Sequence, residues 1–255
     1  MSDFIESSKN AIVAYVDLMG FSRLIQNNDI SGDKVFQIFE RVLKSIEEIN
    51  TNTDLKNRIG IKLVSDSFIF YLNLDDVKDI KVPRGWSSAE DFAVNQFLLL
   101  CSMVGLYFFV ELDCPPRGGV EIGEFALKHF DAARDKQMFI FSKALTCAAS
   151  LEKEAVYPRL LIGDQLYNQY IKHNEVLLDR IWTDIDDNKK AVNLYSYILL
   201  TRQKQIFKEY FGRIRDRLKN RKFEAEVLMK RDKFAEVHNF VMEENQLTEF
   251  LIPTN

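Results

Sequence analysis

The sequence contains few of the residues that stabilise small secreted domains. Among 255 residues there are three cysteines and five prolines. Cys101, Cys114 and Cys147 show no spacing typical of a metal site or a disulfide framework, which predicts free thiols in a reducing compartment. We therefore expect the fold to depend on its hydrophobic core and the protein to be cytoplasmic.

The sequence also shows no secretory signal and no transmembrane segment. Residues 1–10 are polar, without the apolar region of a signal peptide. The longest apolar run, residues 97–110, is interrupted by Ser102 and Gly105 and is too short to cross a bilayer, so a buried helix is predicted there. The formal net charge of −4 gives no general reason to expect nucleic-acid binding. Neither membrane insertion nor a nucleic-acid partner is expected.

The order of predicted elements indicates an α+β fold. With 47% hydrophobic and 28% charged residues, the chain can bury a substantial core. Hydrophobic periodicity predicts the order β-α-β-β-α-β through residue 123, in which the hairpin 61–72 and the long helix 89–112 are the clearest elements. This is the ferredoxin-like arrangement, in which the first and third strands lie side by side at the centre of an antiparallel sheet.

We expect the rest of the chain to divide at residue 200 into the end of one domain and an extension. We expect a charged loop at 75–88, a polar loop at 125–137, a helix ending at residue 154 and a closing hairpin near 176–198. Residues 201–255 are predicted to be a helical C-terminal extension to a domain formed by residues 1–200. The basic face of the first extension helix is either a membrane or nucleic-acid patch or, as its amphipathic spacing favours, the solvated face of a packing helix.

Two aspartates follow predicted strands and are the first candidates for chemistry. Asp17 ends the run AIVAYVD, and Asp66 lies in the turn of the hairpin GIKLVSDSFIFYL. Aspartates after strands are usually turn formers or helix caps. In the predicted topology, however, both lie at neighbouring strand ends beside the glycine-containing turn after Asp17, an arrangement suited to divalent cations and a polyphosphate.

Three motifs resemble those of class III nucleotidyl cyclases. Residues 17–22, DLMGFS, match the first metal motif of that family. Residues 62–66, KLVSD, match the second, although Ser65 replaces the usual glycine. Residues 117–120, RGGV, match the family's Arg-x-Gly-Ile strand. The resemblance covers about residues 10–200 and implies the catalytic-domain fold of that family.

One branch of the family is more similar still, the pyrimidine cyclases of the bacterial Pycsar anti-phage system. The additional shared features are the helix at 144–152, the dipeptide at 158–159 and the dipeptide at 238–239. By register, Thr146 and Ser150 stand where adenylyl and guanylyl cyclases carry asparagine and arginine. Phe139 falls near the position of a purine-specifying acid and cannot accept a hydrogen bond from a purine. The resemblance thus implies a uridylate cyclase, with cytidylate cyclase as second choice.

The resemblance also implies a reaction and a set of site residues. A nucleoside triphosphate would cyclise to its 3′,5′-monophosphate with release of pyrophosphate, using two Mn²⁺ or Mg²⁺ ions. Asp17 and Asp66 would be the catalytic residues and, with the Leu18 carbonyl, the metal ligands. The active sites would lie at a homodimer interface, and a downstream effector would sense the product during infection. The residues expected to bind substrate are Met19, Gly20, Phe21, Lys62 and Arg117.

Other interpretations remain open at this stage. The differences at Thr146 and Ser150 are also what a degenerate cyclase domain that binds a nucleotide without turnover would show. A purine cyclase is a further alternative, and no residue decides between UTP and CTP. A diguanylate cyclase is disfavoured because its Gly-Gly-Asp-Glu-Phe signature is absent. A non-catalytic interaction module built on the basic C-terminal segment is the least supported alternative.

Overall fold

An antiparallel sheet with one parallel strand pair forms the centre of the chain. The computed structural model describes residues 5–27, 30–52, 55, 58–64, 66–131, 136–200, 204–219 and 225–253. Within them the strand order is β2-β3-β1-β4-β6-β8-β7, and β5 pairs with β4. The strands are β1 (Ile5–Leu18), β2 (Ile59–Val64), β3 (Ser67–Asn73), β4 (Pro116–Asp131), β5 (Lys136–Ser142), β6 (Leu160–Ile162), β7 (Ile181–Thr183) and β8 (Lys190–Val192).

Helices connect the strands and continue beyond the sheet. They are α1 (Phe21–Gln26), α2 (Gly32–Asn52), α3 (Ala89–Leu112), α4 (Lys143–Glu154), α5 (Asp164–Leu166), α6 (Glu175–Leu178), α7 (Ser196–Leu200), α8 (Lys204–Lys219) and α9 (Ala225–Glu244). A π-helical turn, Tyr167–Ile171, follows α5, and 3₁₀ turns occupy Leu74–Val77 and Thr248–Phe250. The predicted α+β class is confirmed.

The central strands have the ferredoxin-like order that the sequence predicts. β1 lies between β3 and β4 and is antiparallel to both, whereas the pair formed by β4 and β6 is parallel. The register places Asp17 opposite Ser67 on β3 and opposite Arg117 on β4. This topology therefore brings the end of β1 next to the hairpin turn that contains Asp66.

The two faces of the sheet belong to different hydrophobic clusters. Ile12, Ala14 and Val16 of β1 lie in the main core with α2 and α3. The alternate residues Ala11 and Val13 pack instead with residues of β3, β4 and α4. Because side chains alternate along a strand, a single strand supplies both layers, and Asp17 shares its sheet face with Val13.

Helix α3 is the longest apolar element and has the bounds that the sequence predicts. Its length and composition would suffice to cross a membrane, but 78% of its most apolar window is buried inside the chain. Its N-terminus is capped by the Ser88 hydroxyl, which accepts a hydrogen bond from the Asp91 amide at 2.9 Å. Its C-terminal cap, Asp113, has the left-handed φ of 58°. The helix is the hydrophobic layer against which the sheet packs.

One predicted loop is a strand, and a second segment is mostly the predicted loop but reaches the core. Residues 125–137 were expected to form a polar loop, but β4 continues to Asp131 and forms a hairpin with β5, while residues 132–135 lie outside the described part of the chain. Phe125 and Leu127 point into the cluster against α4, so the segment has a strand period that its charged neighbours obscure. The segment 75–88 also contributes to the core, since Val77 and Ile80 are buried.

The C-terminal helices share the main core. Phe211 and Ile214 of α8, with Phe234 and Met242 of α9, are buried and belong to the same cluster as α3 and β1. The predicted boundary at residue 200 therefore separates two parts of one hydrophobic core.

Basic side chains from these helices converge on the C-terminal end of α3. Arg217 donates to the Val110 carbonyl at 3.2 Å through Nη2, and Arg213 forms an ion pair with Glu111 at 2.7 Å. Arg231 pairs with Asp113 at 3.0 Å. Cations satisfy the free carbonyls and oppose the negative end of the helix dipole. The charge on this face thus supports the packing interpretation of the basic helix.

Candidate active site at the end of β1

Asp17 is the penultimate residue of the central strand β1, just before the chain leaves the sheet. Its side chain is 20% exposed. Gly20 follows with φ of 86°, a left-handed conformation that glycine adopts without steric cost, and α1 begins at the next residue. The Met19 amide donates to the Pro115 carbonyl at 3.1 Å, which ties this turn to the start of β4.

Asp66 lies in the neighbouring hairpin turn. Its backbone carbonyl accepts a hydrogen bond from the Leu18 amide at 3.3 Å. Its carboxylate accepts a hydrogen bond from the Ser22 hydroxyl at 2.8 Å, and Ser22 lies in the first turn of α1. The structure therefore brings the two predicted aspartates to the same end of the sheet, as the sequence indicates. Ser65, the other hairpin residue singled out in the motif, lies outside the described residues.

Burial and the neighbouring Arg117 guanidinium have the largest effects on the pKa of Asp17. Burial raises the pKa of its carboxyl group above the ordinary value, and the Arg117 guanidinium opposes this shift. The negative charges of Asp66 and Glu152 raise the pKa further. A nearby cation favours the ionised form of a carboxyl group in such an environment.

Arg117 and Glu152 complete the set of charges around Asp17. The Nη2 atom of Arg117 lies 3.3 Å from Asp17 Oδ2 and also pairs with Glu152 Oε1. None of the three cyclase-like motifs in the sequence includes Glu152. Its spacing contained a signal, because Glu152 lies eight residues after Ala144 and four after Ala148, the buried face of α4.

Two glycines allow the close approach of these elements. A Cβ atom on Gly118 would lie 1.9 Å from the Tyr15 carbonyl oxygen of β1. A Cβ atom on Gly119 would lie 2.5 Å from the Ala148 carbonyl oxygen of α4. Since real Cβ atoms do not approach backbone so closely, the Gly-Gly pair is needed for β4 to pack between β1 and α4.

Lys62 lies on the same sheet face, farther from Asp17. It is opposite Ile69 in the β2–β3 hairpin, and Ile69 belongs to the cluster on the Asp17 face. Its side chain is half-exposed. The structure thus places Lys62 two strands away from Asp17, whereas Leu18, Met19, Gly20 and Phe21 form the turn beside it.

Thr146 and Ser150, the two positions at which the sequence differs from the motifs of adenylyl and guanylyl cyclases, use their hydroxyl groups for hydrogen bonds to carbonyls of α4 and its N-cap. Thr146 donates to the Ser142 carbonyl and Ser150 to the Thr146 carbonyl, both at 2.9 Å. Phe139 on β5 is 61% exposed. The ammonium group of Lys189 forms an ion pair with Glu154 of the same chain at 2.6 Å.

The donor set near Asp17 is compatible with divalent cations. Carboxylate and carbonyl oxygens are the ligands that Mg²⁺ and Mn²⁺ prefer. Asp17, Asp66 and the Leu18 carbonyl supply this chemistry, and the raised pKa of Asp17 indicates a carboxylate that is stabilised by added positive charge. Within the described residues, no group of three or more His, Cys, Asp or Glu side chains is arranged to hold a metal ion.

Comparison with known proteins places the fold. No protein-family model and no curated protein matches the sequence. Among solved structures, the chain is similar to a class III adenylyl cyclase-like ATP-binding protein from Pseudomonas aeruginosa, with 11% identity and a TM-score of 0.51 over 76% of this chain and 40% of that one.

Two cyclase structures match more of their own length at lower TM-scores. The adenylyl cyclase CyaB from P. aeruginosa is 15% identical, with a TM-score of 0.44 over 74% of this chain and 94% of that chain. The guanylate cyclase domain of RhGC from Catenaria anguillulae, in complex with GTP, is 13% identical, with a TM-score of 0.47 over 73% and 95%.

The predicted fold is therefore confirmed. The likeness at a TM-score of 0.51, together with the strand order around β1, shows the fold of a class III cyclase catalytic domain. Identities of this size describe the fold alone, and a fold hosts many functions.

Proposed function

We propose that this protein is a nucleotidyl cyclase with its active site at the end of β1. The observation that carries the proposal is the convergence of Asp17 and Asp66, joined through the hydrogen bond from the Leu18 amide to the Asp66 carbonyl. The reaction class is intramolecular phosphoryl transfer in a nucleoside triphosphate. The ribose 3′-oxygen attacks the α-phosphorus, the bond to pyrophosphate breaks, and the hydroxyl proton is released to solvent.

The residues of the chain contribute by position and charge. Asp17, Asp66 and the Leu18 carbonyl would hold two Mn²⁺ or Mg²⁺ ions. Such ions, when bound, lower the pKa of the attacking hydroxyl and neutralise charge on the phosphates. The turn at Met19–Phe21 suits phosphate oxygens through the amides of Gly20 and Phe21, since the Met19 amide donates to the Pro115 carbonyl. The forked Arg117 guanidinium suits the β- or γ-phosphate. Positioning of this kind supplies most of the acceleration in phosphoryl transfer.

We propose a pyrimidine substrate, UTP first and CTP second. Two features support this choice over ATP or GTP. Phe139 presents an apolar ring where purine cyclases need an acid, and the Thr146 and Ser150 hydroxyls donate to carbonyls of their own helix. The fold is equally compatible with a purine cyclase, so the choice rests on these side chains and on the resemblance to the Pycsar enzymes.

The proposal includes a homodimer and a role in anti-phage defence. Lys62 is distant from Asp17 in the same chain and would reach a nucleotide bound mainly by the partner. Exposed apolar side chains at Leu63, Val64, Phe139 and Phe141 offer surface for such an association. The product would act through a cytoplasmic effector that senses the cyclic nucleotide, without nucleic acid or membrane as a partner.

The test is incubation of the purified protein with each of the four nucleoside triphosphates and Mn²⁺ or Mg²⁺, with products identified by mass. We expect cyclic UMP or cyclic CMP and stoichiometric pyrophosphate. Cyclic AMP or cyclic GMP as the main product would refute the pyrimidine choice and leave the cyclase proposal intact. Absence of any cyclic product would refute the cyclase proposal.

A second candidate function is nucleotide binding without turnover. Two observations favour it: the likeness to a protein described as ATP-binding and cyclase-like, and the engagement of Arg117 by Asp17 and Glu152. Equilibrium binding of a nucleoside triphosphate, measured by calorimetry under conditions that give no cyclic product, would support this function. Turnover that is lost in Asp66→Ala would contradict it.

A further inference from the structure

The position of Arg117 suggests a function for Glu152. One guanidinium nitrogen, Nη2, contacts Asp17 Oδ2 at 3.3 Å and also Glu152 Oε1. The side chains of Arg117, Asp17 and Glu152 are 30%, 20% and 14% exposed. An internal cation therefore already pairs with the carboxylate that the proposed function assigns to a divalent ion.

Separating Arg117 from Asp17 costs free energy unless another acceptor takes the guanidinium group. Its Nε atom is buried and has no hydrogen-bond partner within the described residues. Breaking an ion pair between side chains that are only 30% and 20% exposed removes a charge contact that water replaces only in part. Glu152 supplies the alternative acceptor, because it already contacts the same nitrogen from the α4 side.

The backbone fixes Glu152 in this position. Helix α4 lies so close to β4 that a Cβ atom at Gly119 would meet the Ala148 carbonyl and the Leu151 side chain, each at 2.5 Å. Glu152 follows directly, at the C-terminal end of the helix. The distance between Glu152 and the strand that carries Arg117 is thus set by packing.

We propose that Glu152 is a positioning residue that retains Arg117 when a divalent cation takes Asp17. Arg117 then competes with the cation for Asp17, and Glu152 weakens this competition by offering a second carboxylate. The inference rests on the proposed function, in that Asp17 is taken as a cation ligand. Glu152 itself contacts Arg117 and is assigned no contact with the cation.

The test measures Mn²⁺ affinity of the nucleotide-free protein by electron paramagnetic resonance of free Mn²⁺. Arg117→Gln removes the internal competitor and should raise the affinity on the order of tenfold, the effect of about 1.4 kcal/mol. Arg58→Gln is the matched control, because Arg58 pairs with Asp79 at the other end of β2 and its loss changes the net charge equally. It should leave the affinity unchanged.

Glu152→Gln should lower Mn²⁺ affinity on the order of tenfold, since Arg117 is left with Asp17 as its remaining carboxylate partner. In the Arg117→Gln background the same substitution should have an effect of less than about twofold. Glu154→Gln is the matched control on the same helix, because Glu154 pairs with Lys189 and should leave the affinity unchanged.

The outcomes separate this inference from the proposed function. An equal loss of affinity from Glu152→Gln in both backgrounds would make Glu152 a metal ligand and overturn the inference alone. No change from Arg117→Gln would also overturn it alone. Failure of the unmodified chain to bind Mn²⁺, or unchanged binding in Asp17→Asn, would overturn the proposed metal site and the inference together. If Arg117→Gln does not fold, Arg117→Leu removes the polar head and keeps an apolar stem.

Discussion

Acidification should destabilise the protein through His238, which joins α9 to the chain beyond it. The imidazole is fully buried, its Nε2 donates to the Phe250 carbonyl at 3.0 Å, and its Nδ1 accepts from the Tyr195 hydroxyl at 3.0 Å. Burial lowers the pKa of His238 from the ordinary 6.5 to about 4. The bond from the Tyr195 hydroxyl requires the neutral ring, since a protonated Nδ1 could no longer accept, whereas the bond to the Phe250 carbonyl is compatible with either form.

The sign and size of the effect follow from this lowered pKa. In the unfolded chain His238 takes up a proton near pH 6.5, whereas in the folded chain it stays neutral until about pH 4. Its contribution is therefore fully present above pH 6.5 and is lost as the pH falls to about 4. The free energy of unfolding should decrease by about 2 kcal/mol between pH 7 and pH 5, and by about 3 kcal/mol at pH 4, through this group alone.

The measurement is urea unfolding, followed by circular dichroism, at several pH values between 7 and 5. His238→Gln is the control, because its amide can donate to the Phe250 carbonyl but does not titrate. The unmodified protein should be more stable than this variant at pH 7, and the difference should shrink by about 2 kcal/mol at pH 5. A difference independent of pH would refute the burial of a neutral imidazole between α9 and Tyr195.

Three further predictions concern the site and its supports. Asp66→Asn should abolish turnover while circular dichroism and thermal unfolding stay close to the original; retained turnover would contradict the proposed two-metal site. Gly118→Ala should cost more than about 2 kcal/mol in urea unfolding, because the added Cβ would meet the Tyr15 carbonyl oxygen; an unchanged midpoint would contradict the close packing of β1 and β4. Arg231→Met should cost about 3 kcal/mol by leaving the Asp113 carboxylate unpaired, and Arg231→Met with Asp113→Asn should recover part of it; no recovery would contradict the pairing.

Part of the candidate site could be predicted from the hydrophobic pattern of short segments. Each aspartate follows an apolar run, so strand ends at Asp17 and Asp66 could be predicted from periodicity. The ferredoxin-like element order then placed both at one end of the sheet, and the register agrees. The location of Arg117 could also be predicted, because it lies near the start of the strand that the topology places beside β1. Its pairing with Glu152 could not be predicted, because this contact depends on how α4 lies on β4.

The β4–β5 hairpin shows where pattern fails. Its inward residues, Phe125, Leu127 and Ile140, lie on either side of the mainly polar stretch 128–137, whose composition resembles that of a loop. The hairpin packs one face against α4 and leaves the other exposed, as at Phe141. The apolar runs at the two ends of the hairpin are short, and the charged stretch between them hides their pairing.

The packing of the C-terminal helices could not be predicted from the sequence either. Their amphipathic spacing predicted two helices, and both are present. Local sequence could not identify α3 as the surface they cover, nor the end of α3 as the acceptor for Arg213, Arg217 and Arg231. These contacts join positions about a hundred residues apart, and no periodicity within either segment specifies the partner.

The sequence by itself determined the helices and central strands other than the β4–β5 hairpin, the central position of β1 and the meeting of two aspartates at its end, because hydrophobic period and turn chemistry act over a few residues. Only the tertiary structure decided that Arg117 pairs with both Asp17 and Glu152, and which helices complete the core. Charge pairing and apolar burial depend on distance in space, which packing sets and the order of residues does not.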